Sequence, residues 1–275
     1  MWELGFLGGW NLIRPVRLGA VGYLNARPLT WALDRAPERW HVRYDVPSVC
    51  ASLLHAGAVD LGLIPSVEYL QARDYRFVPG VGIGSRGPVR SVALFTRVPL
   101  PSIRRIALDT SSRTSVALIK VLCRHRFRIE PEFVPHGPDL ATMTRGADAA
   151  LLIGDPALDA DERAIGLEKV DLGEEWSAMT GLPFIYAAWT GRPGAISDAD
   201  VRALQDAQQE GSRATAAIAA EYGRGDAAAT ARAAVYLRDN VKYGLGPEEA
   251  AGLQMFLDYA AEMGLAPGRR TLEFF

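Results

Sequence analysis

Residues 16–30, VRLGAVGYLNARPLT, set the reading of the whole chain. The apolar run Val16 to Val21 stops at Gly22-Tyr23-Leu24-Asn25, and a helix-like stretch begins near Arg27-Pro28. A short run with β-branched residues that ends at Gly reads as a buried strand. Pro in a first helical turn is tolerated because the N–H it lacks has no intrahelical partner there. Asn25 is therefore expected in the turn at the carboxyl end of a first strand, beside a helix N-terminus. In open α/β sheets ligands bind in that turn.

Outward from this turn, Trp40 to Pro47 reads as a second strand and Pro47 to Gly57 as a helix. Asp60 to Ile64 is a third strand, stopped by Pro65, and Ser66 to Ala72 is helical. Strands alternating with short helices predict a parallel sheet of βαβ units. The stretch Gly82-Ile83-Gly84-Ser85-Arg86-Gly87 fits G-x-G-x-x-G. Pro88-Val89 then leads into another strand, Ser91 to Phe95, and not into a helix, so dinucleotide binding is rejected. The same glycines can still bring backbone N–H groups close to a small anion.

A second βα series follows, with a strand over Ile103 to Leu108, a polar turn over Asp109 to Ser115 and a helix over Val116 to Cys123. Simple helix capping accounts for one such side chain. This turn offers the hydroxyls of Thr110, Ser111, Ser112, Thr114 and Ser115 together with Arg113, a surplus that suits anion binding at a helix N-terminus. Ile129 to Val134 and Asp148 to Ile153 read as strands, with a short helix from Asp139 to Arg145. At Gly154-Asp155-Pro156 another strand ends, and Asp155 either touches a ligand or caps the next segment. Leu182 to Trp189 is a strongly apolar strand. From Ser197 only helices are expected: one to about Tyr222, then Asp226 to Asn240 and Pro247 to Met263.

These elements predict a two-lobed α/β fold with a helical C-terminal region. The first lobe takes residues 15–94 and 190–275, the second takes 95–189, and 1–14 form an N-terminal tail. The chain is expected to cross at about Phe95 and return at about Ala188. Two connecting strands leave a cleft between lobes, a common place for small ligands.

Composition narrows the function. With 275 residues, 49% of them hydrophobic, the chain can bury a substantial core. A net charge of −2 argues against a general nucleic-acid binder. No apolar stretch approaches the roughly 20 residues needed to span a bilayer, and residues 1–14 lack the basic start and small-residue cleavage site of a secretory signal, so a cytoplasmic location is expected. Cys50 and Cys123 are expected as buried free thiols. Nearly all basic residues are arginine, which suits anion clamping over proton transfer; compositional bias accounts for it equally well.

His41, His55, His125 and His136 lie far apart in sequence, without the spacing of a nucleophilic triad or a metal site. Only His136, beside Gly137-Pro138, is placed near a cleft, with a surface loop as the plainer alternative. There is no phosphate loop of the G-x-x-x-x-G-K-[ST] type. The residues alone thus give a two-lobed binder of small anions, without a recognisable metal or dinucleotide motif and without an obvious catalytic apparatus.

Several motifs, in order, carry a resemblance. They are Val21 to Leu29, Val46-Pro47-Ser48, Asp60 to Tyr69, Ser85 to Val92, Leu108 to Ser115, Ile153 to Ala157, and Trp176 together with Thr180 to Phe184. Over roughly residues 16–265 the chain resembles the chorismate dehydratases of the futalosine route to menaquinone. That resemblance implies a fold like type II periplasmic binding proteins, no cofactor, and loss of water from chorismate to give 3-[(1-carboxyvinyl)oxy]benzoate, a carbon–oxygen lyase reaction. It implies a functional role for Asn25, substrate contacts from Ser85 and Ser91, and a carboxylate held by Thr110, Ser111 and Thr114. Arg86 either clamps an anion or braces its loop. A neutral amide is no base at pH 7, so Asn25 is assigned to orientation and hydrogen bonding, while the proton passes to a carboxylate of the substrate.

Two rivals stand beside this reading. The sister enzyme that forms 1,4-dihydroxy-6-naphthoate shares the implied fold but carries a Ser-Pro-Cys-Pro-Asn opening. A non-catalytic small-anion-binding protein would need an export signal or a fused DNA-binding domain. The partner in each case is a small molecule, with no nucleic acid and no membrane; the sequence leaves the oligomeric state open.

Overall fold

The computed structural model describes residues 14–160 and 166–275; the expected tail up to residue 13 lies outside them. Among the described residues ten strands form two five-stranded sheets. The first half of the chain contributes β1 (Val16–Val21), α1 (Arg27–Thr30), β2 (Trp40–Asp45), α2 (Pro47–His55), β3 (Leu61–Pro65), β4 (Arg76–Ser85), β5 (Val92–Thr96), β6 (Arg105–Asp109) and α3 (Arg113–Leu122). After these come β7 (Glu132–His136), α4 (Leu140–Gly146), β8 (Ala149–Ile153), α5 (Gly154–Asp159), β9 (Glu168–Asp171), α6 (Leu172–Thr180) and β10 (Phe184–Gly191). The C-terminal helices are α7 (Asp198–Arg213), α8 (Thr215–Gly223), α9 (Ala227–Val235) and α10 (Pro247–Glu262).

The first sheet has the order β2-β1-β3-β10-β4 and the second β7-β6-β8-β5-β9. In each, the central βαβ strands run parallel and the strands nearest the crossings run antiparallel. Helices on the sheet faces bury these strands, so β3, β5, β8 and β10 have no exposed residue, as expected of sheets covered on both sides. Two such sheets, joined by two crossings, make the two-lobed α/β fold expected from the sequence.

The pairing moves both expected crossings. β5 belongs to the second sheet and β10 to the first, so the chain changes sheet ahead of β5 and ahead of β10, and Phe95 and Ala188 lie inside strands. Asp171 ties the two crossings together. Its carboxylate accepts the backbone N–H groups of Val89 and Arg90 on the outward path and caps α6 through Gly173 and Glu174 on the return. Arg90 takes a left-handed backbone there (φ 66°).

Other expectations shift as well. The glycine-rich stretch, to which the sequence reading gave no element, is the end of β4, where Gly82 and Gly84 pair with β10. A Cβ on Gly84 would lie 2.6 Å from Ile185 Cδ1 and 2.7 Å from the Phe184 carbonyl oxygen. These glycines serve close strand packing. Helix α3 starts at Arg113, earlier than expected, and the long helix from Ser197 breaks at Ala214 into α7 and α8. Cys50 and Cys123 are buried and free.

Candidate active site

Asn25 sits in a 3-10 turn, Leu24–Ala26, directly after β1 and ahead of α1. It lines a cavity of about 40 Å³ walled by both lobes. Val21, Tyr23, Asn25, Ile83 and Tyr186 come from the first, and Val92, Ser112, Ser115 and Gly154 from the second. Among the described lining residues there is no Asp, Glu, His, Lys or Arg. The two tyrosines are the only ionisable groups, and burial pushes both phenols above their ordinary value.

The amide oxygen of Asn25 is buried and has no hydrogen-bond partner. Its side chain lies beside the Tyr236 hydroxyl, which donates to Ser91 Oγ at 2.7 Å. Tyr236 opens a π-helical turn, Tyr236–Asn240, that follows α9; such turns often mark functional sites. Ser111 Oγ is a second buried polar atom without a bond, although the Tyr23 phenol and the Asp109 carboxylate lie next to it. Buried polar atoms without a partner are uncommon in folded proteins.

The polar turn before α3 is organised by Asp109, which accepts Ser111 N–H at 2.9 Å and Ile153 N–H at 3.3 Å. Because α3 begins at Arg113, Ser112 is its N-cap and Ser115 stands one turn on, their hydroxyls 3.1 Å apart. Both line the cavity. Thr114 points elsewhere: its Oγ1 accepts Val67 N–H at 3.1 Å and meets Ser66 Oγ at 3.3 Å. Thr110 lines a separate cleft.

The other sequence-derived residues stand behind the cavity or away from it. Ser85 is buried, with its hydroxyl 3.0 Å from that of Tyr186. Ser91 is buried under Tyr236. Arg86 pairs with Glu248 on the surface, beside Lys242, and its loop-bracing reading is the one this geometry favours. Asp155 reaches across the lobes to accept Leu24 N–H at 2.9 Å, and burial, with Asp159 nearby, pushes its carboxyl up to about 6. Next to it Gly154 (φ +68°) lies against the Tyr23 ring, where a Cβ would come within 2.7 Å. His136 is half-buried at the end of β7, and among the described residues its side chain bonds the neighbouring Gly137 carbonyl.

The sequence reading missed Tyr23, Tyr186 and Tyr236, and it counted Ser112 and Ser115 among the hydroxyls of the turn without assigning them a substrate contact. The correct start of α3 would have singled out the two serines, and Tyr23 stood inside the opening motif. Tyr186 could have been found by alternation along its strand. Nothing near Tyr236 signals its position against Asn25.

A sequence family described as menaquinone biosynthesis matches residues 16–262. A chorismate dehydratase of Thermus thermophilus is 34% identical over 216 residues, which cover 72% of this chain and 78% of that protein. The chain belongs to this menaquinone-biosynthesis family. Solved structures agree on the fold. Protein AF1704 of Archaeoglobus fulgidus superposes with a TM-score of 0.73 at 19% identity, covering 91% of this chain and 98% of that one. The periplasmic aliphatic sulphonate binding protein SsuA of Escherichia coli gives 0.67 at 19% identity, covering 93% and 89%. Among the described residues no group of His, Cys, Asp or Glu could hold a metal ion, and no helix is long and apolar enough to cross a membrane.

Proposed function

We propose that the chain is a hydro-lyase that removes water from chorismate to give 3-[(1-carboxyvinyl)oxy]benzoate. The observation that carries this reading is the unpartnered Asn25 amide oxygen in a cavity between the lobes, in a chain of this family. At neutral pH chorismate offers one hydrogen-bond donor, its ring hydroxyl; its other polar groups only accept. A buried acceptor without a donor matches that hydroxyl, the group that leaves. Asn25 holds the C–O bond in line with the π system that forms as the ring becomes aromatic.

The C–H bond at the ether-bearing carbon breaks, and its electron pair becomes a ring double bond. The neighbouring C–O bond breaks, its pair leaves with the hydroxide, and the released proton makes that hydroxide water. The described lining contains no side chain that could serve as base near neutral pH. The substrate's enolpyruvyl carboxylate takes the proton and hands it to the departing hydroxide. The N-terminus of α3, with Ser112 and Ser115, receives a carboxylate through backbone N–H and hydroxyl donors. Ser85 and Ser91 act one hydrogen bond back, through Tyr186 and Tyr236, and Asp155 steadies the Asn25 turn. The reading carries a cytoplasmic location with it, and a two-lobe division whose boundaries fall ahead of β5 and ahead of β10.

The test is incubation of purified protein with chorismate, followed by chromatography for the aromatic ether. Wild type should form it without added metal or cofactor, and Asn25→Ala should fold normally yet turn over at least about a hundredfold more slowly. Unchanged chorismate with wild type, or near-normal turnover by the variant, refutes the assignment.

A further inference from the structure

A second cleft opens between the lobes and shares no lining residue with the Asn25 cavity. Its volume of about 780 Å³ falls in the range usual for small-molecule sites. One wall is the 3-10 turn Ser66–Gln71 of the first lobe, and the other is α3 of the second.

At its centre Glu68 is only 3% exposed. Its Oε2 lies 2.6 Å from His55 Nε2 and accepts from an Arg113 guanidinium nitrogen at 2.7 Å. His55 Nδ1 stands 2.7 Å from the hydroxyl of buried Tyr75. With Nε2–H donating to the carboxylate, Nδ1 accepts from Tyr75, and this chain of bonds fixes the Glu68 side chain. All bonds to the carboxylate fall on Oε2; among the described residues Oε1 has no protein donor. Oε1 is not among the buried atoms left without a partner, so it keeps some exposure, and Glu68 lines the cleft.

Positive charge gathers around it. Arg113, Lys120 and Arg192 line the cleft with Glu68 as their one acidic neighbour there. Arg192 is 3.7 Å from Asp74 and lies over the Tyr75 ring. Lys120 stands over the Phe133 ring and forms no ion pair among the described residues. Val116, Ala117 and Leu265 add apolar surface. An anion, a hydrogen-bond donor and a flat apolar body would each find a counterpart.

We propose that this cleft binds a small hydroxylated carboxylate. Its carboxylate would lie on Lys120 and Arg192, its ring on the apolar wall, and its hydroxyl would donate to Glu68 Oε1. The test is titration calorimetry on the full chain with 4-hydroxybenzoate as the probe. Benzoate lacks the donor and 4-hydroxybenzamide lacks the charge. Wild type should bind 4-hydroxybenzoate, and Lys120→Ala should weaken it about tenfold. Both comparison compounds should bind more weakly by a similar factor, and Asn25→Ala should leave binding unchanged. Absence of binding at millimolar probe overturns the proposal. So does equal binding of benzoate, and so does binding lost in Asn25→Ala but kept in Lys120→Ala, which would put the ligand in the other cavity. None of these readouts depends on chorismate turnover.

Discussion

Replacing Asp155 by Asn should stabilise the protein, and only above a definite pH. The Asp155 carboxyl is raised from 3.8 to about 6, chiefly by burial, with Leu24 N–H opposing and Asp159 adding to the rise. A rise of that size corresponds to about 3 kcal/mol against the ionised form. The folded state therefore holds this proton more tightly than the unfolded chain does. Below pH about 4 both states are protonated and the carboxyl costs nothing. As the pH climbs from about 4 through 6, the unfolded chain ionises freely while the folded one does so at a cost, and stability falls.

Asn keeps an oxygen to accept Leu24 N–H but cannot ionise. Urea unfolding of wild type and Asp155→Asn at steps from pH 4 to 8 should show nearly equal stability at the acid end. By pH 8 the variant should lead by up to about 3 kcal/mol, or about 5 °C in Tm for a chain of this length. A difference that stays flat with pH, or a variant less stable at pH 8, would refute the reasoning. It would mean that the charge-assisted bond to Leu24 outweighs the loss of hydration. A buried carboxylate that costs stability at working pH, two residues beyond the end of β8 and bonded to the Asn25 turn, is expected of a site held for function.

Three further substitutions probe side chains packed behind the cavity and a contact between the lobes. Gly173→Ala would place a Cβ 2.5 Å from Tyr186 Oη and 2.7 Å from both Ser85 Oγ and the Gly87 carbonyl; it should cost about 1–3 kcal/mol in urea unfolding and lower kcat by displacing that pair. Tyr236→Phe removes the hydroxyl between Ser91 and Asn25; kcat should fall with little change in KM, and a cycle with Asn25→Ala should be non-additive, because the loss acts through one side chain. Thr114→Val leaves Val67 N–H without its acceptor, and unfolding should show a loss of about 1–3 kcal/mol.

The opening strand and turn were legible because the signals agreed: a short apolar run, a glycine stop and Pro28 at the start of a helix. β4 was not. Its glycines are poor strand formers by composition, and what makes them fit is the backbone of β10, a hundred residues on. Strand β9, with the sequence Glu-Lys-Val-Asp, has no period of its own and exists because β5 offers an open edge. In the polar turn the residue types pointed to an anion site, but which hydroxyls face the cavity depends on where α3 begins. A start three residues earlier than expected turns Ser112 and Ser115 inward and commits Thr114 to the other lobe. The Tyr236 contact with Asn25 is long-range packing, and no local rule reports it.

A cavity of about 40 Å³ holds on the order of three waters, and chorismate is several times larger. Turnover by the proposed reaction therefore requires the lobes to part and close again. The bonds that cross between them are mostly polar: Leu24 N–H to Asp155, Ser48 N–H to the Ser111 carbonyl, Val67 N–H to Thr114, and Arg113 to Glu68. Water can replace each of these, so each contributes about 0.5–1.5 kcal/mol net to the closed form, somewhat more where a charge takes part. One apolar cluster runs from the first lobe into the second, where α3 and Trp176 of α6 pack against α10 and β10, so the lobes also share buried apolar surface. Opening at the Asn25 side breaks the replaceable hydrogen bonds of Leu24, Ser48 and Val67, while the shared apolar surface keeps the lobes joined. The cavity can thereby yield to a substrate that brings two carboxylates of its own.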